Sequence, residues 1–141
     1  MNRRKRKLAA LLAVAAIAVT NVIPAFASND NISYNFTLKA NHGNTYSGSR
    51  YRQTTNTNNK WKVNMTYSSE GKGTIATYWL ALFNSSHTLA SGTHNVTQGS
   101  GAHYYSAKSN ASKSNVCLAV ENNNNTTNTY TVAGYWDEET D

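Results

Sequence analysis

The chain predicts an all-β fold, a compact antiparallel β-sandwich or barrel of about 7–8 short strands after an N-terminal signal helix. Three observations point there. Apolar and polar residues alternate with a period of two over several stretches, the pattern of a strand with one buried and one wet face. Clusters of Gly, Asn and Ser punctuate these stretches at short intervals, as turns do. Helical apolar spacing is nearly absent beyond Ala27.

Taken in order, Ile32, Tyr34, Phe36, Leu38 and Ala40 alternate with Ser33, Asn35, Thr37 and Lys39. Trp61, Val63, Met65 and Tyr67 do the same against Lys60, Lys62, Asn64 and Thr66. Thr74–Phe83 differs, with Ile75, Trp79, Ala81 and Phe83 on one face and Ala76, Tyr78, Leu80 and Leu82 on the other. Apolar residues on both faces suit a central strand covered on both sides. Val116–Val120 and Tyr130–Trp136 follow, joined by the turn-rich Asn122–Asn128 and read as a hairpin. Tyr46–Thr54, Thr88–Val96 and Ala102–Ala107 complete the count. Around Ala107–Ala111, Ser and Asn crowd the chain and favour a loop over a helix.

The first 27 residues read as a secretory signal peptide. The cationic Arg3-Arg4-Lys5-Arg6-Lys7 precedes an apolar run, Leu8–Val19, then Pro24 and the small-residue site Ala25-Phe26-Ala27. The expected cut lies between Ala27 and Ser28. The apolar run falls short of the roughly 20 residues that cross a bilayer. No Cys follows the cleavage site, which argues against a lipid anchor, and no later run is long enough to span. The expected organisation is a signal peptide, 1–27, and one secreted β domain, 28–141, with no stable membrane span after cleavage.

Cleavage transforms the electrostatics. The whole chain has 13 Lys+Arg against 7 Asp+Glu, a net charge of +6. Five of the bases and none of the acids lie in the opening run, which leaves the remainder nearly neutral. The electrostatic case for a nucleic-acid partner disappears with the signal.

The sequence offers little for catalysis, and no enzyme activity, cofactor or metal is expected. His42, His87, His94 and His103 share no ligand spacing such as H-E-x-x-H and read as isolated surface histidines. Glu70 is the one carboxylate between Asn31 and Ala119, so a two-carboxylate hydrolase lacks material. No G-x-S-x-G nucleophile elbow occurs. The acids of Asp137-Glu138-Glu139-Thr140-Asp141 lack the alternating spacing of a calcium loop and read as a solvated tail; pairing with Arg50, Arg52 or Lys60 is the local alternative. Cys117, the one cysteine, sits in an apolar run and reads as a small core residue.

What remains for recognition is aromatic and amide chemistry. Nine Tyr and three Trp stand among many Asn, Ser and Thr, the combination that holds sugars by stacking on C–H faces and bonding hydroxyls. The candidate binding residues are Tyr46, Arg50, Tyr51, Arg52, Tyr104 and Tyr105; packing a small β core is the competing use of the aromatics.

Ile32-Ser33-Tyr34-Asn35-Phe36, Arg50-Tyr51-Arg52-Gln53-Thr54-Thr55, Trp61-Lys62-Val63, Gln98-Gly99-Ser100-Gly101 and Gly134-Tyr135-Trp136-Asp137-Glu138-Glu139 resemble a family of small secreted Gram-positive bacterial proteins catalogued as a domain of unknown function. In size and composition the chain is also similar to lactococcin-type bacteriocins. Neither resemblance brings an activity or a site residue. The expected function is therefore non-enzymatic binding at or near the cell envelope, with a cell-wall glycan or envelope component as partner. A bacteriocin-like effector and a structural matrix component are the alternatives.

Overall fold

The structure, a computed structural model, describes residues 29–140. The signal segment and the expected cleavage pair, Ala27 and Ser28, lie outside the described residues. Two antiparallel sheets pack face to face, so the all-β expectation holds and the sandwich prevails over the barrel. The strands are β1 (Ile32–Leu38), β2 (Thr45–Tyr46), β3 (Arg50–Arg52), β4 (Trp61–Ser68), β5 (Ile75–Leu82), β6 (His94–Thr97), β7 (His103–Tyr105), β8 (Ser114–Asn122) and β9 (Tyr130–Asp137). The first sheet runs β1-β9-β4-β7; the second runs β2-β8-β5-β6, with β3 also paired to β8.

The alternating residues do what their period requires. Trp61, Val63 and Met65 of β4 and Val132 and Trp136 of β9 are buried against Tyr78, Leu80, Val116 and Leu118 of the second sheet. Two phenols tie the layers together: Tyr34 Oη donates to Tyr78 Oη at 2.9 Å in the core. Burial pushes both phenols above their ordinary range, so the pair stays neutral. A bulge between Met65 and Tyr67 shifts the β4–β9 register. There Gly134 lets the two backbones meet, because a Cβ at that position would overlap the carbonyl of Asn64.

Several expectations change. The Tyr46–Thr54 segment splits into β2 and β3, and of Thr88–Val96 only the end joins β6. One 3₁₀ turn, Ser109–Ala111, occupies the expected loop. The proposed hairpin of Val116–Val120 with Tyr130–Trp136 does not form. β8 pairs with β2, β3 and β5, whereas β9 pairs with β1 and β4, so the Asn-rich link crosses between sheets. Both strands need partners on two sides, and a local hairpin would leave the first sheet without its central strand.

The solvated-tail reading of the C-terminal acids is also corrected for residues 137–140, while Asp141 lies outside the described residues. Asp137, Glu138, Glu139 and Thr140 are all buried. Glu138 accepts from Arg50 Nε, and its second oxygen accepts from Nη2 at 3.0 Å. The Glu139 carboxylate accepts from the backbone N–H groups of Gln53 and Thr54 at 3.0 and 2.8 Å. Thr140 donates twice to the Lys60 carbonyl, from its N–H at 2.7 Å and its hydroxyl at 2.8 Å. The local alternative of pairing to this basic segment is the one the molecule adopts, because a buried carboxylate is tolerated where donors converge on it.

Asp137 is less well provided for. Its Oδ1 accepts from the Glu139 N–H at 3.2 Å, but its buried Oδ2 has no hydrogen-bond partner. Burial outweighs Lys62 across the ladder and pushes the carboxyl up to about 6. A raised acid binds its proton more tightly when folded. This contribution to stability is complete below the unfolded value and is lost as pH rises through about 6. Asp137→Asn is expected to raise the neutral-pH urea midpoint, by about 1–2 kcal/mol of stability, and to flatten the stability profile between about pH 4 and 6. Unfolding curves across that range check it; an unchanged pH profile would refute the assignment.

Candidate functional site

The two-faced apolar pattern of β5 places a second set of side chains on the outer face of the second sheet. The register aligns them in rows. Tyr46, Ala119 and Trp79 lie across β2, β8 and β5, and Cys117 sits beside Ala81 in the next row. Tyr51 faces Asn115 of β8, whose carbonyl accepts from the Phe83 N–H at 2.9 Å just past β5. Trp79, Ala81, Cys117 and Ala119 form a small buried cluster of their own, with Tyr46 packed against it. Small residues in the middle of the rows make a low floor, and aromatic rings rise at its ends.

The turn after β5 closes over part of this floor. Leu82 N–H donates to the Thr88 carbonyl at 2.8 Å, and His87 is brought onto Tyr46 with ring centroids 3.8 Å apart and planes 15° from parallel. His87 holds this position at a φ of 45°, in the left-handed region that non-glycine residues seldom adopt. Phe83, Asn84, Ser85 and His87 line a cleft of about 330 Å³. Phe83 and Tyr51 are each about half exposed, at 51% and 50%. The Asn44 carboxamide lies 3.0 Å from Tyr46 Oη at the opposite border. Flat rings, amides and a shallow cleft on one sheet face suit a flat, hydroxylated ligand.

The six candidate binding residues separate. Tyr46 and Tyr51 share this outer face. Tyr104 is half exposed, but on β7 it stands across from Lys62, on the first sheet. Tyr105, one residue on, turns to the other side of its strand. It stacks on His94 at 3.7 Å and lies 5.2 Å from Trp61, so it packs the rim of the core rather than a binding surface. Arg50 and Arg52 flank Tyr51 and point the opposite way. Arg50 is engaged by Glu138 and lies 3.5 Å from Asp30. Arg52 is 1% exposed and donates to the carbonyls of Glu138, Asn56 and Asn59, so it is a structural residue. The Glu138 carbonyl lies 86 residues away in sequence, which hides it from a reading of local pattern, whereas Asn56 and Asn59 belong to the loop that follows β3.

Sequence reasoning missed Phe83, His87 and Trp79 as members of the site. The signal was the apolar outer face of Thr74–Phe83, which the central-strand reading assigned to burial alone. The reading of the histidines as isolated is corrected as well. His87 and His94 belong to separate ring stacks, His42 Nδ1 lies 2.8 Å from the Asn122 carbonyl, and His103 Nε2 lies 2.7 Å from Ser100 Oγ. Cys117 is buried, as its apolar run implied, and burial pushes its thiol up to about 11, away from reactivity. Among the described residues no group of His, Cys, Asp and Glu is arranged to hold a metal ion.

A family model described as protein of unknown function (DUF2712) matches residues 23–140. No curated protein and no solved structure matches the chain.

Proposed function

We propose that this chain, which belongs to the DUF2712 family of proteins of unknown function, is a secreted, non-enzymatic protein of a Gram-positive bacterium that binds a cell-wall glycan. The observation that supports the reading is the outer face of the second sheet, where Phe83, Asn84, Ser85 and His87 line a shallow cleft, Tyr46 stacks on His87 beside Asn44, and half-exposed Tyr51 shares the face. Rings supply the C–H-stacking surface, and amides supply directional bonds to hydroxyls. The near-neutral charge of residues 28–141 leaves such contacts, rather than long-range attraction, to select the ligand.

Sedimentation of the secreted protein with purified peptidoglycan tests this. Wild type and Tyr104→Ala are expected in the pellet, and the Tyr51→Ala/Phe83→Ala double variant is expected to lose retention about tenfold. Equal retention of the double variant, or no retention of wild type, sinks the proposal. A bacteriocin-like effector is the second reading, favoured by a Tyr- and Trp-rich sandwich that holds together with one buried, unpaired Cys. Growth of related strains with purified protein decides between them.

A further inference from the structure

The sandwich has four edges, and three of them are short. β2 and β3 have two and three residues, β6 has four, and β7 has three. Short edges offer little to pair with. β1 is different: seven residues, Ile32–Leu38, in unbroken register with β9 on one side. Its sequence ISYNFTL contains no charge and no Pro, and its register has no bulge, three devices that commonly protect an edge.

The open side of β1 can be assigned. Thr131, opposite Thr37, has its carbonyl bonded by the Ser69 N–H at 2.9 Å and its own N–H bonded to Ser69 Oγ at 3.0 Å. Both groups of Thr131 therefore point toward β4, and Thr37 opposite it is a non-hydrogen-bonded position. The Thr37 carbonyl accordingly turns outward, where the Thr45 hydroxyl reaches it at 3.4 Å. By the alternation of an antiparallel strand, the N–H and C=O groups of Ser33 and Asn35 turn outward too. They have no protein partner among the described residues.

We infer that β1 is a self-pairing edge, and that its partner is β1 of a second copy, antiparallel about a two-fold axis at Asn35. The register follows from the outward groups. Asn35 faces its own equivalent, and Ser33 faces Thr37, each pair exchanging both N–H···O bonds. The same axis sets Tyr34 against Phe36 and Ile32 against Leu38 on the core side, so apolar meets apolar and uncharged polar meets uncharged polar. Phe36 and Ile32, half-buried in the single copy, gain cover. No like charges oppose this arrangement, and the two first sheets become one continuous sheet. The pairing is independent of the glycan-binding proposal, because it uses the first sheet and leaves the outer face of the second sheet free on both copies.

Sedimentation velocity of the chain lacking residues 1–27, over a wide concentration series, tests it. Wild type is expected to move from monomer toward dimer as concentration rises. Asn35→Pro removes an outward N–H that the β9 ladder does not use, a substitution edge strands tolerate, and is expected to stay monomeric with an unchanged circular dichroism spectrum. Asn35→Lys, which sets two charges on the axis, gives the same outcome without a backbone change and replaces the Pro variant should that one misfold. Hydrogen exchange adds a position-specific readout: the Ser33 and Asn35 amides exchange fast in dilute protein and gain protection as concentration rises. A wild-type monomer throughout the series, or association undiminished in a folded Asn35 variant, overturns the inference. Peptidoglycan retention by the Asn35 variants stays at the wild-type level, so failure here is distinguishable from failure of the binding reading.

Discussion

Gly134→Ala is expected to destabilise the protein by about 3 kcal/mol or more, at the upper end of what overpacking costs. The Ala methyl would overlap the Asn64 carbonyl oxygen and lie 3.0 Å from Tyr34 Oη. Neither neighbour is a flexible side-chain end able to move aside. The carbonyl belongs to β4 next to its bulge, and Tyr34 is locked by its bond to Tyr78 in the core. Relief therefore requires β9 to move off β4, which loosens the two central strands of the first sheet together. Gly48→Ala is the matched control: its Cβ meets nothing within 4 Å, and the smaller entropy of the unfolded chain makes it neutral or slightly stabilising, by about 0.4–1 kcal/mol. Urea unfolding of the two variants checks the pair. Similar midpoints for both would show that β9 and β4 do not meet as described.

Arg52→Met is expected to cost about 3 kcal/mol or more, despite a similar apolar volume. The guanidinium is a hub: it bonds the Glu138 carbonyl from the C-terminal segment and the Asn56 and Asn59 carbonyls from the loop before β4. Its removal orphans buried acceptors and leaves the charges of Glu138 and Glu139 with less compensation. Deleting residues 138–141 should destabilise comparably from the other side, because it leaves Arg52 short of an acceptor and frees Arg50 from Glu138. Arg52→Met combined with that deletion should fall well short of the sum, since both changes break one network. An additive double variant would separate the arginine from the tail.

The strands were largely legible because one-sided burial imposes a two-residue period. Tyr34, Leu38, Val63 and Met65 announced their faces in this way, and the structure buries them. Strand partners were not legible: the link between β8 and β9 looks like any Asn-rich hairpin turn, and only the vacancy between β1 and β4 sends β9 to the other sheet. The candidate site was half legible. Tyr46 and Tyr51 lie on its face, whereas Arg50 is claimed by the Glu138 carboxylate, 88 residues away in sequence, and Arg52 by the backbone carbonyls of Glu138, Asn56 and Asn59. Charge alone did not separate a binding arginine from a structural one, because the difference lies in which long-range acceptors arrive. The acidic C-terminus misled for the same reason. A carboxylate-rich end is normally soluble, but here Arg50, Arg52 and the N–H groups of Gln53 and Thr54 converge on it.

β9 and the buried residues 138–140 that follow it bear on how the chain folds as it is made. The first sheet has β9 in its interior, between β1 and β4, and the sandwich end is shut by residues 137–140. A chain made from its N-terminus holds all its other strands before it has the piece that joins them. Assembly of the first sheet must wait for β9, since its contacts with β1 and β4 close long loops of chain. Until β9 arrives, β1 and β4 have no strand to join them, and residues 137–140 act as the clasp that shuts this end of the sandwich once β9 is in place.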